Sequence, residues 1–384
     1  MRILAFCDYY GDSSVGGAEI VARELYRRLA EDYGAEITVV GALPNDVSGS
    51  GEGPVRVLSV VGRDLSRMLG AQMLISPDLG RRARAELAHF RPDLVHVNGL
   101  HFQSSLIGTR LAKRFDIPLV VTAHLGSVAA MPGPIRLVAS LYDRLVAGRV
   151  ARGADWVVAV SGAVADHVSS LGVRPDQITV AHNGVDHKRF FAVPRPSQQR
   201  WLKATIVGRL IANKGTLLTL DAVAMVRATN RDVRLTVVGE GPLEKAAKKR
   251  ATAADLEGAV DFVGRVSNVE EWLRGSDVSL RPSYTEGLPL AVLESLACGT
   301  PVICSEVAGN LELIDDGTNG MVFPVGDVAG LAGCLERLYD DRETLAQMSE
   351  NAVESAGRFS WDESTQIHME VFDAVSSRSA GTLT

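Results

Sequence analysis

Cysteine is scarce and unpatterned in this chain. Cys7, Cys298, Cys304 and Cys334 are the only four in 384 residues, with no C-x-x-C pair and no metal-ligand spacing. They read as small buried hydrophobes in a reducing compartment. No Asp-x-Asp pair occurs anywhere, which argues against a bound divalent metal. No apolar run approaches the roughly 18 residues of a spanning helix. The opening Met1-Arg-Ile-Leu-Ala-Phe-Cys7 is too short for a signal peptide and reads as a first strand. A cytoplasmic protein is expected, at most resting on a membrane. Neither half shows the G-x-G-x-x-G fingerprint of a dinucleotide site. A basic footprint is missing too. Net charge is −6, with 21 Lys+Arg against 19 Asp+Glu in residues 1–190 and 19 against 27 in the remainder. That excludes a general nucleic-acid binder and leaves room for an anionic partner or membrane surface on the N-terminal half.

What the chain does have is an ordinary globular composition, 46% hydrophobic and 22% charged. Its length exceeds what one core usually supports, so two domains are expected. Short β-branched runs alternate with helical patterns almost throughout, the mark of parallel α/β units. The spacing predicts strands at Ile3–Cys7, Leu94–Val97 and Leu119–Thr122, and helices at Leu79–Phe90, Ile135–Arg152 and Ala163–Leu171, the last capped by Ser161. A Pro-rich aperiodic stretch, 191–201, reads as a linker between domains at 1–190 and 202–360. In the second half, strands are expected at Ala204–Val207, Leu235–Val238, Val260–Val263, Val278–Arg281 and Val302–Cys304. Two doubly wound, Rossmann-like domains would face each other across a cleft lined by the loops at the strand C-termini.

The most informative stretch is Glu286-Gly-Leu-Pro-Leu-Ala-Val-Leu-Glu294. Pro289 fits a first helical position, because its missing N–H would have been an orphan anyway. Glu286 then sits in the loop above the helix start and Glu294 faces inward a turn and a half along. At roughly 1.5 Å per residue the two are too far apart to share a proton. They suit two anchors on one long polar ligand, with backbone N–H groups between them open to an anion.

Other stretches point the same way. Gly208-Arg209-Leu-Ile-Ala-Asn-Lys214-Gly215 places two cations in a strand-to-helix loop, where an Arg fork and a Lys point charge suit a diphosphate. Gly16-Gly17 opens the first helix, permitting close backbone approach or serving simple packing. His124 lies just past a buried strand, although His96, His101 and His182 lie near similar edges. Gly239-Glu-Gly-Pro242 and Gly264-Arg265-Val266 end two further strands. Asn183-Gly184-Val-Asp186 reads as a turn with positive φ at Gly184.

Together these motifs, in order along nearly the whole chain, resemble the retaining glycosyltransferases of family four, which have the two-domain GT-B fold. The resemblance extends through Gly-Thr-Pro-Val-Ile303 and Gly309-Asn310-Leu-Glu312. It implies that Arg209 and Lys214 hold the donor diphosphate and that Glu294 binds the ribose hydroxyls. Glu286 would meet the donor sugar, with Gly287, Leu288 and Leu290 at the helix start near the phosphates. Gly208 and Gly239 would border the donor, while Gly264, Arg265 and Val266 line the base. Gly16 and Gly17 would approach the donor from the other domain, and His124 would touch the sugar near the reacting carbon. Members usually carry a second Gly or Pro after Gly309. Here Asn310 follows, and its tolerance of unusual backbone angles would keep the turn.

The reaction so implied is transfer from a nucleotide-diphosphate sugar, a UDP-sugar favoured, to an acceptor hydroxyl, with retention and without metal or cofactor. A C-terminal helix, 361–376, would cross back to complete domain one. A nucleotide-sugar epimerase or a non-catalytic sugar-nucleotide-binding subunit remains open as an alternative. Arginines at 63, 67, 81, 82, 84, 136, 144, 149 and 152 read either as solvated helix faces or as contacts to anionic lipid.

Overall fold

The computed structural model describes residues 1–11, 16–44, 53–65, 73–126, 140–194 and 200–380. These fall into two compact units. The first runs to Asn183 and takes in Trp361–Thr384, and the second covers Gly184–Ser360. The sequence-based boundary at 190 therefore lies a few residues late. Gly184 has no positive φ. Instead, Val185 forms an isolated parallel bridge with Ser360 just past the boundary. Ile135–Ala139 of the expected fourth helix, linker residues 195–199, Arg67 and Arg136 lie outside the described residues.

The first unit holds seven parallel strands. Their order is Val55–Val61, Glu36–Leu43, Arg2–Phe6, Leu94–Asn98, Leu119–Ala123, Trp156–Ala159, Ile178–Val180. Leu119–Ala123 is buried along its whole length, as expected of a parallel strand covered on both faces. The C-terminal helix Trp361–Ala380 packs on the first helix, Gly17–Tyr33. Phe372 is fully buried beside Val371 and Val375, in the same core as Ile3, Ala5 and Val120.

A chain of buried hydrogen bonds ties that helix to the sheet. His368 Nδ1 lies 2.7 Å from the Ser364 carbonyl, so it must donate, leaving Nε2 to accept from the Thr122 hydroxyl at 3.2 Å. Thr122 in turn accepts from His96 Nε2 at 2.8 Å, and His96 Nδ1 accepts from Tyr26 at 2.8 Å. Every donor finds an acceptor only if both imidazoles are neutral. Burial favours that form, pushing His368 down to about 4 and His96 well below its ordinary value. His96 is thus a structural residue.

The second unit repeats the plan with six parallel strands. Their order is Val260–Gly264, Val233–Val238, Leu202–Val207, Val278–Arg281, Val302–Ser305, Gly320–Phe323. Leu220, Val223, Leu235 and Leu335 lie in its core. In both units the first strand pairs with the second on one side and the fourth on the other. That reversal is the topological switch point, where open α/β sheets bind ligands beyond the strand C-termini.

The elements that escape the sequence reading include the short antiparallel pair Arg63–Asp64 and Leu74–Ile75, strand Gly320–Phe323, and helices Ala308–Leu311 and Arg342–Ala356. The last buries only Leu345, Met348, Ala352 and Ala356 and follows helix Val328–Asp340 with no Gly or Pro between them. A narrow stripe built half of alanine is a weak periodic signal.

Candidate active site

At the switch point of the second unit, strand Val278–Arg281 ends beside strand Leu202–Val207. Arg281 Nη1 donates to the Val207 carbonyl at 2.9 Å and its Nε donates to Glu286 Oε1 at 2.8 Å. Lys214 Nζ reaches the same carboxylate from the other loop, at 2.8 Å to Oε1 and 2.9 Å to Oε2. Burial alone would raise the Glu286 pKa. Arg281 and Lys214 overcome it and hold the carboxylate at about 2. Lys214 is pushed down to about 8 by burial and by Arg281, with Glu286 opposing. Arg209 is close enough to add to that repulsion.

Glycine contacts let these loops nest. A Cβ at Gly239 would sit 2.0 Å from the Gly208 carbonyl oxygen, and one at Gly309 would sit 2.3 Å from that of Gly287. Gly239 donates to the Gly264 carbonyl at 2.7 Å and Gly208 to Val238 at 3.0 Å, which stacks the three strand ends in order. Gly287, Leu288 and Leu290 are buried between Glu286 and the helix Leu290–Ala297.

Two local expectations need correction. Pro289 is not the first helical residue but the one before it, with φ −74° and ψ 118°. Asn310 needs no unusual backbone angle, because it lies in the short helix Ala308–Leu311. It is fully buried and donates to the Ser305 carbonyl at 3.0 Å. Its amide takes a packing role while Gly309 alone provides the close approach.

Glu294 is half-buried, one and a half turns into the helix. Burial pushes its carboxyl up to about 7 despite the nearby Arg189 and Arg281. Glu286 and Glu294 are therefore shifted in opposite directions, the first held down by two cations and the second raised by burial. Arg265 is exposed, with Val266 half-buried beside it.

The first unit gathers the remaining expected residues by itself. Gly16 precedes the helix Gly17–Tyr33 in extended conformation. A Cβ at Gly17 would meet nothing within 4 Å among the described residues, and Gly17 has no positive φ. Neither packing nor backbone angle demands glycine there. Asn98, at the end of strand Leu94–Asn98, donates to the Ala18 carbonyl at 3.2 Å and accepts from His124 Nε2 at 2.7 Å. One amide thus joins the glycine turn to the histidine. Burial pushes His124 down to about 3, with His368 adding to the effect. With its Nε2–H committed to Asn98, Nδ1 remains as the acceptor.

Sequence reasoning missed Arg281 and Asn98. Each is a polar residue at the C-terminal end of a fully buried strand at the switch point, and that position is the signal that was available.

The chain as a whole has counterparts among known proteins. Residues 15–189 match the family model described as Glycosyltransferase Family 4, and residues 193–355 match Glycosyl transferases group 1. The D-inositol 3-phosphate glycosyltransferase of Arthrobacter sp. (strain FB24) is 31% identical over 315 residues, covering 76% of this chain and 73% of that protein. The chain belongs to glycosyltransferase family 4. A second relative of the same name, from Acidothermus cellulolyticus, is 32% identical over 314 residues, covering 74% of this chain and 68% of its own. Among solved structures, Anabaena HepE in complex with UDP and glucose superposes with a TM-score of 0.77 at 21% identity, covering 97% of this chain and 99% of that one. Sucrose-phosphate synthase from Thermosynechococcus elongatus gives 0.78 at 22% identity, with 97% and 99% covered. The fold of this glycosyltransferase is GT-B, built from two Rossmann-like α/β domains.

Proposed function

We propose that the enzyme moves a sugar from a nucleotide-diphosphate donor, UDP-sugars in preference to GDP-sugars, to an acceptor hydroxyl, with retention and without a metal ion. The observation that carries this reading is the charge at the switch point of the second unit. Arg209, Lys214 and Arg281 stand against one ionised carboxylate, Glu286, leaving two positive charges. A diphosphate brings the matching negative charge, and each charge-assisted bond contributes about 1.5–3 kcal/mol.

In this mechanism Arg209 and Lys214 stabilise the departing diphosphate, whose oxygen helps deprotonate an acceptor attacking from the same face. Glu286 orients Lys214 and meets a donor-sugar hydroxyl through lone pairs that its cations leave over. Glu294 takes the ribose hydroxyls, and Gly264 to Val266 line the base. Gly17, with open space where a Cβ would be, admits the donor backbone-close, and neutral His124 accepts from the sugar through Nδ1. The binding of UDP by Anabaena HepE supports the base preference. The names of the relatives make inositol phosphates the first acceptors to try.

The test is a thermal-shift panel of sugar nucleotides followed by transfer assays and NMR of the product anomer. A binding donor raises apparent stability by mass action. Stabilisation by UDP-sugars, with an unchanged anomeric configuration in EDTA, supports the reading. Activity that vanishes with EDTA and returns with magnesium would overturn its metal-free part, and inversion its stereochemistry.

A further inference from the structure

Three consecutive helices of the first unit, Leu79–Phe90, Gln103–Phe115 and the turns from residue 140 to Arg152, pack side by side. Their outer face is predominantly basic, with exposed carboxylates only at the helix ends, where Asp78 pairs with Arg81 at 2.6 Å and Asp116 follows the second helix. Arg81, Arg82 and Arg84 are exposed on the first, and Arg110, Lys113 and Arg114 on the second. Arg144, Arg149 and Arg152 are exposed on the third. The only carboxylates within these helices are turned inward. Glu86 is buried with Arg56, and Asp143 is buried between His101 and His167. A chain of net charge −6 thus keeps a face with nine exposed cations against two exposed carboxylates, Asp78 and Asp116, at its helix ends.

The same face carries the two most exposed large hydrophobic side chains of the described residues. Leu141 is 60% and Leu145 62% exposed, one turn apart and flanking Arg144. Phe115 stands 41% exposed at the end of the second helix, in a shallow groove with Arg81 and Arg84. Cations with protruding aliphatic tips suit one partner best. Arginine heads meet lipid phosphates while leucines enter the acyl boundary. A nucleic acid would use the charges and leave the leucines in water. No described helix is long and apolar enough to cross a membrane, so the contact would be peripheral.

We propose that this face docks the enzyme on an anionic lipid bilayer. The inference does not depend on the donor or the acceptor. Vesicles of phosphatidylcholine, with and without phosphatidylglycerol, are sedimented with the full-length protein at low and high salt. The protein should pellet with the anionic vesicles and be released by salt. Arg144→Glu/Arg149→Glu should lower partitioning on the order of tenfold or more, since each basic residue at the surface contributes about 1 kcal/mol. Leu141→Ser/Leu145→Ser should lower it severalfold at unchanged charge. Lys245→Glu/Lys249→Glu, an equal charge change on the second unit, should leave it intact, and circular dichroism should show all three variants folded. Failure to pellet at low salt, or equal loss in the control variant, would overturn the proposal. So would duplex DNA binding as tight as vesicle binding and indifferent to the leucine changes, which would reassign the face to polyanions.

Discussion

Lys214 and Glu286, 72 positions apart in sequence, are joined through both carboxylate oxygens at 2.8 and 2.9 Å. The carboxylate also carries Arg281. Removing its charge leaves two buried cations facing each other, so Glu286→Gln should cost about 3–5 kcal/mol of stability. Urea unfolding with and without UDP measures this. A loss below about 1 kcal/mol would mean that solvent already screens the cluster.

Arg209→Ala/Lys214→Ala removes two cations without orphaning a carboxylate, because Arg281 remains on Glu286. The fold should persist while UDP affinity and transfer drop by on the order of a hundredfold or more, from two lost charge-assisted bonds. Calorimetric titration with UDP decides it, and near-normal binding would discredit the diphosphate role.

Glu294 couples stability and binding with opposite signs. Its folded pKa, about 7, lies above the usual carboxylate value, so its contribution is full at low pH and is lost as pH rises through 7. Glu294→Gln should therefore stabilise the donor-free protein at pH 8 by about 1–3 kcal/mol. The same change should weaken UDP binding, whose wild-type affinity should itself fall below pH 7 as the carboxyl protonates. Melting curves and UDP titrations of both proteins across pH 6 to 8 check the two signs together.

The buried histidines set the acid limit. His96, His124 and His368 all have folded pKa values depressed by burial. Their stabilising contribution is present above the unfolded value and is lost as pH falls below about 6.5. Each should steepen acid destabilisation by up to about 1.4 kcal/mol per pH unit. Urea midpoints from pH 7 to 5, with His368→Gln as comparison, test the slope. The variant should be less stable at pH 7 and less sensitive to acid.

Gly309→Ala would bring a methyl group within 2.3 Å of the Gly287 carbonyl oxygen, so the Glu286 loop must shift. UDP affinity is expected to fall more than secondary structure or solubility. Isothermal titration beside circular dichroism separates the two effects.

The alternation of buried β-branched runs with amphipathic helices was readable from the chain because period and burial are local properties. So were Arg209, Lys214, Glu286 and Glu294 as candidates, because their polar side chains interrupt loops and a helix where neutral residues would serve. Family membership followed from their order. Partnership was not readable. That Glu286 belongs to Lys214 and Arg281, and that Asn98 binds Ala18 and His124, depends on strand ends brought together by parallel pairing across many tens of residues. The proton balance was equally hidden. Glu286 and Glu294 are the same residue type eight positions apart, yet desolvation moves one up while two cations hold the other down. Composition and spacing decided the architecture, but the dielectric and the neighbours that set each charge exist only once the chain has folded.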